Sequence, residues 1–174
     1  VWPADHPLAS VEVTARPRAY ALPAPLPNPL DVTFGDAATG APVHLRGFDL
    51  SAAALARGGP LTVRLWWQAE GPTDLDYTVF VHLLGPDERP HGQVDRLAGG
   101  GAAPSSAWAP GQVLTDTLTF AVAADAPPGP YRLAVGLYDV ASGRRLPALD
   151  SEGQPLPDDR AILPAALALA EESE

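Results

Sequence analysis

The sequence contains no cysteine, no methionine and no lysine, so all 11 of its basic residues are arginine. The absence of cysteine excludes disulfide bonds, thiolate metal sites, iron–sulfur clusters and cysteine nucleophiles. Positive charge is also scarce, since 21 acidic residues leave a formal net charge of −10 at pH 7. Such a chain lacks the basic surface by which proteins bind nucleic acid or anionic membranes, so we expect neither as a partner.

Long apolar runs are missing too. The longest, such as residues 162–170, are far shorter than the roughly 18 residues that a membrane-spanning helix needs, so we expect no membrane insertion by this segment. Turn-forming residues are abundant, because the 174 residues include 21 prolines and 16 glycines. This content stays below the roughly 25–30% that marks unstructured low-complexity chains, and it therefore predicts an ordered fold with many turns.

Residues 1–29 are predicted to form an N-terminal arm or linker. Residues 11–14 alternate apolar and polar side chains, which indicates one short strand. Proline then recurs at short intervals from Pro17 to Pro29. Because proline cannot donate to a sheet ladder, this stretch is expected to run extended over a surface or to link two modules. Whether the arm packs on this domain or belongs to a preceding one stays open.

From residue 30 the apolar residues recur with a period of two. The alternation is seen in six segments: residues 30–34, 43–48, 61–69, 77–84, 117–122 and 131–138. Strands that bury one face against a core show this pattern, and proline–glycine turns separate the segments. The sequence therefore predicts an all-β fold over residues 30–170, an antiparallel immunoglobulin-like β-sandwich of about seven to nine strands, followed by an acidic tail at 171–174.

Few segments have the pattern of a helix. Residues 51–56 are a candidate for one helical turn, with Ser51 as its cap, and residues 165–172 for either a frayed helix or the last strand. Tyr131 follows a Gly-Pro turn near the start of a predicted strand. Immunoglobulin-like sandwiches often place a tyrosine there, with its hydroxyl bonded to an upstream backbone group, and we expect the same bond here.

Residues 85–109 form a long connection with little strand signal, apart from residues 92–94. Connections of this length tend to be functional or disordered. Because this segment ends beside Trp108, it is the first candidate for the docking site of a protein partner.

The aromatic residues allow two interpretations. Trp66 and Trp67 are neighbours on one predicted strand, so they point to opposite faces. Trp67 is expected in the core, Trp66 on the outer face or under a loop, and Trp108 as the anchor of the long loop on the sheet. The alternative is a carbohydrate-binding surface on which Trp66, Trp108, Tyr77 and Tyr138 stack against sugar rings.

Catalytic residue types are present but not in a recognisable arrangement. Ser105, Ser106, His82, Asp95 and Asp116 include a nucleophile, a base and an acid, the components of a serine hydrolase. No Gly-x-Ser-x-Gly elbow accompanies them, and a histidine in mid-strand is more often a hydrogen-bonded structural residue. We therefore predict no enzyme and no catalytic residues.

Acidic residues in turns are the remaining candidates for chemistry. Two carboxylate pairs, at 74 and 76 and at 158 and 159, are the residue type of a glycosidase, but acidic residues in turns usually cap or solvate them. The four histidines lack metal-ligand spacing. Calcium is a weaker alternative, with candidate donors at Asp87, Glu88, Asp95 and residues 150–159. We predict no cofactor.

Several phrases of the sequence resemble one module of bacterial envelope proteins. They are FGD at 34–36, LRGFDL at 45–50, LWWQA at 65–69, DYTVFVHLL at 76–84, WAPG at 108–111 and GPYRLAVGLYD at 129–139. The resemblance covers about residues 30–169. It is to the immunoglobulin-like β-sandwich module found as the soluble extracytoplasmic C-terminal region of bacterial multi-span glycosyltransferase-like membrane proteins, a family of unknown function.

The resemblance implies an extracytoplasmic location, as the soluble part of a membrane-associated or secreted protein, and it implies no catalytic residues. The leading hypothesis is therefore a non-catalytic accessory or interaction module of a larger envelope protein. Its partner would be another protein or the parent membrane protein. Carbohydrate binding is the alternative, with a glycan as ligand. The net charge of −10 favours a monomer.

Overall fold

The structure is a computed structural model, and it describes residues 17–101 and 103–169. The arm strand predicted at residues 11–14 and the acidic tail predicted at 171–174 lie outside the described residues.

The described residues form eleven strands and no α-helix. The strands are β1 (Asn28–Phe34), β2 (Val43–Leu50), β3 (Ala54–Leu55), β4 (Pro60–Ala69), β5 (Thr78–Leu84), β6 (Pro90–Leu97), β7 (Val113–Ala121), β8 (Gly129–Tyr138), β9 (Ala148–Leu149), β10 (Ala161–Ile162) and β11 (Leu167–Leu169). Seven of them have seven or more residues, and the other four have two or three. Short 3-10 turns lie at Ala98–Gly101, Ser105–Ala107 and Pro157–Asp159.

The strands form two sheets that pack face to face. The first sheet has the order β7-β4-β2-β1-β9, and the second has the order β3-β11-β8-β5-β6, with β10 also paired to β8. Neighbouring strands are antiparallel except β3 and β11, which are parallel. This arrangement confirms the predicted β-sandwich.

The core lies between the inner faces of the two sheets, where the alternation of the sequence placed it. On β4, Leu61, Val63, Leu65 and Trp67 point inward and are buried. The aliphatic residues of β5 at 79, 81 and 83 face them from the second sheet and are equally buried. Burial of apolar surface on this scale is the main favourable contribution to folding.

Tyr131 makes the predicted backbone bond. Its hydroxyl donates to the carbonyl oxygen of Pro127 over 2.7 Å, and its ring is buried. The bond ties the entry of β8 to the turn that precedes it.

Two local predictions were wrong. Residues 51–56 contain no helical turn, because Ala54 and Leu55 pair with β11 and Leu55 is buried. The long connection at 85–109 contains the eight-residue strand β6. Its sequence signal is weak because β6 lies at the edge of its sheet, where five of its eight residues are exposed. The alternative of a last strand near residue 167 is confirmed as β11.

Residues 17–27 of the arm cross the outer surface of the first sheet. At one end, Ala19 pairs with Val113 at the start of β7, and the Val113 N–H donates to the Ala19 carbonyl over 2.8 Å. At the other end, the side chain of Leu26 lies directly on Gly47 of β2. Leu22 and Leu26 are half-buried, while the residues around them are exposed. The described part of the arm therefore packs on this domain.

Candidate functional site

The four aromatic residues considered as sugar-stacking platforms differ in exposure. Trp66 is 6% exposed, Tyr77 is 4% exposed and Trp108 is 2% exposed. Tyr138, at the end of β8, is partly exposed. Of these four residues, only Tyr138 has a side chain that a ligand reaches without displacing other parts of the chain.

Trp66 and Trp67 point to opposite faces of β4. Trp67 is fully buried in the core, and its indole N–H donates to the Asp116 carboxylate over 3.1 Å. Trp66 points to the outer face, where its register partner on β2 is Gly47. Because Leu26 of the arm lies on Gly47, the arm covers this part of the outer face and Trp66 has little contact with solvent.

Trp108 anchors a loop. Its indole N–H donates to the carbonyl oxygen of Ala103 over 2.6 Å, and its ring packs in the hydrophobic core. The indole therefore holds residues 103–108 in a closed turn against the sandwich.

Ser105 and Tyr77 join two loops through a buried hydrogen-bond network. The Tyr77 N–H donates to the Ser105 Oγ over 3.0 Å, and the hydroxyl of Thr73 lies 2.8 Å from the same oxygen. The Ser105 hydroxyl also lies 3.0 Å from the carbonyl oxygen of Leu75. The Ser105 oxygen is thus occupied by loop contacts.

The two carboxylates at 74 and 76 belong to the same pair of loops. The Tyr77 hydroxyl donates to Asp74 over 2.8 Å, and burial together with this carboxylate raises the pKa of Tyr77. The N–H and hydroxyl of Ser106 donate to Asp76 over 3.2 Å and 2.5 Å. Both carboxylates therefore accept bonds that fix the loop, as turn-capping residues do.

Asp116 is a buried carboxylate on the inward face of β7. It accepts hydrogen bonds from the Trp67 indole and from the Gly99 N–H, each over 3.1 Å. Burial raises the pKa of Asp116, and these hydrogen bonds oppose that rise. Asp116 joins the core tryptophan to the glycine turn at 98–101.

A cluster of polar and aromatic side chains lies on the outer face of the second sheet, and we name it the Phe80 cluster. It consists of Phe80, His82, Asp95, Tyr138 and Arg145, which border a cavity of about 240 Å³. Phe80 and His82 come from β5, Asp95 from β6 and Tyr138 from β8, and Arg145 follows the β8–β9 turn. Three neighbouring strands and one turn thus bring these side chains together.

Aromatic and cation–π contacts organise the cluster. The Phe80 ring lies 4.9 Å from the His82 ring and 6.2 Å from the Tyr138 ring, measured between centroids. The guanidinium carbon of Arg145 lies 4.7 Å from the Phe80 centroid. The ring fits against the sheet because its neighbour on β8 is Gly136, where any Cβ would overlap it.

Polar contacts in the cluster converge on Asp95. The Tyr138 hydroxyl donates to its Oδ2 over 3.3 Å, and the His82 Nε2 lies 3.6 Å from its Oδ1. Burial and the charge of Arg145 lower the pKa of His82, although Asp95 opposes this, so the neutral imidazole is favoured. Burial and Asp95 raise the pKa of Tyr138, so the phenol keeps its proton.

Sequence reasoning found Tyr138 but missed Phe80 and Arg145 as its neighbours. It considered His82 and Asp95 for catalysis, and the structure brings this pair together, whereas the Ser105 oxygen bonds to loop residues. One sequence signal was available: Gly136 inside a strand marks a place where another group approaches the backbone closely.

The acidic residues considered for calcium have local partners. Asp87 accepts from the ring of His91 over 2.9 Å, and Asp150 accepts from the N–H groups of Glu152 and Gln154. Within residues 17–101 and 103–169, no three carboxylate or histidine side chains converge as metal ligands would.

Comparison with known proteins identifies a structure of similar fold but assigns no family. No family model matches the chain, and neither does any curated protein. Among solved structures, the C-terminal domain of Wzt is similar, with a TM-score of 0.52 and 12% identity over 75% of each chain. The shared property is the β-rich fold. The described residues include no helix long and apolar enough to cross a membrane.

Proposed function

We propose that this chain is a non-catalytic accessory or interaction module of a larger bacterial envelope protein, positioned outside the cytoplasm. One observation carries the proposal: the serines and Asp116 that could have served a hydrolase fix loops instead, and His82 and Asp95 have no serine beside them in the Phe80 cluster. Ser105 joins two loops, Asp116 joins the core to a glycine turn, and Asp76 holds the Ser106 backbone. A module built in this way presents a rigid surface rather than a reactive centre.

Two further arguments support the proposal. The sequence phrases resemble an extracytoplasmic module for which no activity is established. The fold is similar to that of the C-terminal domain of Wzt, so a sandwich of this type occurs as a terminal domain in another protein.

Replacement of Ser105 tests the non-catalytic role. We expect Ser105→Ala to lower the free energy of unfolding by about 1–3 kcal/mol, because the buried Tyr77 N–H loses its acceptor. A set of ester and amide substrates should give no turnover with either form. Turnover by the wild type that disappears in a variant of unchanged stability would contradict the proposal.

The proposed location is tested in cells that carry the parent protein. The chain contains 11 arginines, so trypsin added outside the cytoplasmic membrane should cleave it, as detected with an antibody raised against this segment. Cleavage that begins only after the cytoplasmic membrane is broken would contradict an extracytoplasmic location.

Carbohydrate binding is a second candidate function, and one observation favours it. Tyr138 is partly exposed and borders a cavity that also contains a carboxylate and a guanidinium group. Sugar sites combine an aromatic surface with a few such polar groups. Isothermal titration of the chain with neutral and acidic oligosaccharides tests this candidate, and the absence of binding to any of them would contradict it.

A further inference from the structure

The outer face of the second sheet is unusual because its centre is aromatic. On β5, Val79 and Val81 point into the core, so the intervening Phe80 points outward, yet it is only 2% exposed. The Arg145 guanidinium and the rings of His82 and Tyr138 cover it. Phe80 is therefore the buried base that the polar groups pack on, and these groups form the rim of the cavity.

The rim offers both acceptors and donors. Asp95 is exposed, and its contacts with Tyr138 and His82 are long, at 3.3 Å and 3.6 Å. Its carboxylate can therefore accept hydrogen bonds from a ligand. Arg145 donates one N–H to the carbonyl oxygen of Asp158 over 2.8 Å, and a guanidinium group has five N–H donors. In its neutral form, His82 carries one donor and one acceptor nitrogen.

We propose that the Phe80 cluster binds one neutral pyranose ring through adjacent hydroxyl groups, an inference that rests on the carbohydrate-binding candidate. Each sugar hydroxyl both donates and accepts a hydrogen bond. Asp95 accepts from one hydroxyl, and Arg145 donates to its neighbour. The apolar face of the sugar packs on the exposed part of the Tyr138 ring.

The charge and size of the cavity define the ligand class. We assign a neutral sugar because the Asp95 carboxylate and the net charge of −10 both repel an acidic one, whereas Arg145 is the one cation among the described residues that border the cavity. At about 240 Å³ the cavity is smaller than the roughly 300–1,000 Å³ of sites for drug-sized ligands, so it holds one ring of a longer glycan.

The test compares cluster variants with matched controls in the full 174-residue chain. The cluster variants are Asp95→Asn and Arg145→Gln. The controls are Asp31→Asn and Arg46→Gln, which change an exposed carboxylate and guanidinium that pair over 2.8 Å on the first sheet. Binding is measured by isothermal titration with neutral and uronic-acid-containing oligosaccharides, and the unfolding temperature of each variant verifies its fold.

We expect a neutral oligosaccharide to bind the wild type and both controls equally. Each cluster variant should lose about ten-fold in affinity, because the amide that replaces the charged group makes a weaker hydrogen bond to the sugar hydroxyl. In addition, the amide NMR signals of Gly136 and Gly143 in the wild type should shift on titration, because Gly136 lies under Phe80 and Gly143 borders the cavity. This measurement tests the site even where a variant fails to fold.

Three results would overturn the inference in different ways. Neutral-sugar binding that is unchanged in both cluster variants and shifts other amides would leave carbohydrate binding intact but assign it to another site. Exclusive binding of acidic sugars, strengthened by Asp95→Asn, would overturn the neutral ligand class. The absence of binding to every glycan would overturn both the inference and the carbohydrate-binding candidate.

Discussion

At the scale of single residues, burial and hydrogen bonding act in opposite directions on the pKa of Asp116. The carboxylate is almost fully buried on a strand whose other inward side chains are apolar. Two hydrogen bonds, from the Trp67 indole and the Gly99 N–H, stabilise its charge, but burial has the larger effect on its pKa. Burying an ionised carboxylate therefore costs free energy here, and the same carboxylate joins the glycine turn to the core.

This opposition gives a pH-dependent prediction. Because the pKa of Asp116 is raised in the folded state, that state binds the proton more tightly than the unfolded chain, and this residue's contribution to stability falls as the pH rises above 3.8. The difference in free energy of unfolding, wild type minus Asp116→Asn, should therefore decrease from pH 4 to pH 7. Urea unfolding measures it, with Asp31→Asn as the control for a lost charge. A difference that grows with pH would contradict the prediction.

Tyr131 supplies the second prediction at this scale. Replacement by phenylalanine keeps the buried ring and removes the hydroxyl that donates to Pro127. We expect Tyr131→Phe to lower the free energy of unfolding by about 0.5–1.5 kcal/mol, the usual net contribution of one hydrogen bond. Tyr20→Phe, at a tyrosine that is 55% exposed, is the control and should have no effect. Equal unfolding free energies for Tyr131→Phe and wild type would show that the bond contributes nothing.

At the scale of elements, the arm lowers the solvent exposure of part of the first sheet's outer face. The alternation of β4 places Trp66 outside the core, where an indole would be open to solvent. Residues 17–27 lie across this face, with Leu26 on the glycine that pairs with Trp66. We therefore expect the arm, together with Arg64 over the Trp66 ring, to limit the exposure of this indole.

The covering role of the arm is testable by fluorescence. Leu26→Ala removes the side chain that lies on Gly47, so water should reach Trp66 and the tryptophan emission should shift to longer wavelength. The same substitution in a Trp66→Phe background should give no shift, since Trp67 and Trp108 remain in the core. An equal shift in both backgrounds would mean that Leu26 affects another tryptophan.

Two strands, β6 and β3, could not be predicted from the local sequence pattern. β6 was missed because only Val94 marks an inward face among mostly exposed residues. The β3 segment was predicted as part of one helical turn capped by Ser51, but Ala54 and Leu55 pair with β11 instead. In both cases the strand exists because a neighbouring strand supplies its hydrogen bonds.

At the scale of the whole molecule, the formal net charge of −10 acts on every part of the sandwich. Like charges on a compact surface repel one another, and this repulsion lowers the stability of the folded state relative to the expanded chain. Local ion pairs such as Arg46 with Asp31 offset only a small part of it, because exposed pairs contribute little.

We therefore expect added salt to stabilise the fold. Raising sodium chloride from about 10 mM to about 300 mM shortens the Debye length from roughly 30 Å to below 8 Å and screens the repulsion. The unfolding temperature, followed by circular dichroism, should rise across this range. A fall would indicate that specific ion pairs outweigh the general repulsion.

The sequence by itself determined which side of most long strands faces the core, although β6 was missed and a register shift between Leu45 and Gly47 on β2 turns Phe48 inward against the alternation. Alternation with a period of two placed Trp67 inside and Trp66 outside, and the Gly-Pro entry to β8 identified Tyr131 and its backbone bond. These features are local, because the pleat of a strand and the conformation of a turn depend on neighbouring residues. The absence of cysteine also excluded disulfide bonds and thiolate chemistry.

Only the tertiary structure decided which outward side chains are covered and which meet in one place. Trp66 lies beside the glycine on which Leu26 packs, 40 positions earlier in the chain, and Tyr138 borders a cavity with residues of three strands and a turn. Exposure and convergence depend on segments that are distant in sequence, so no local period encodes them. For this reason the fold could be predicted from the sequence, whereas the Phe80 cluster required the packed molecule.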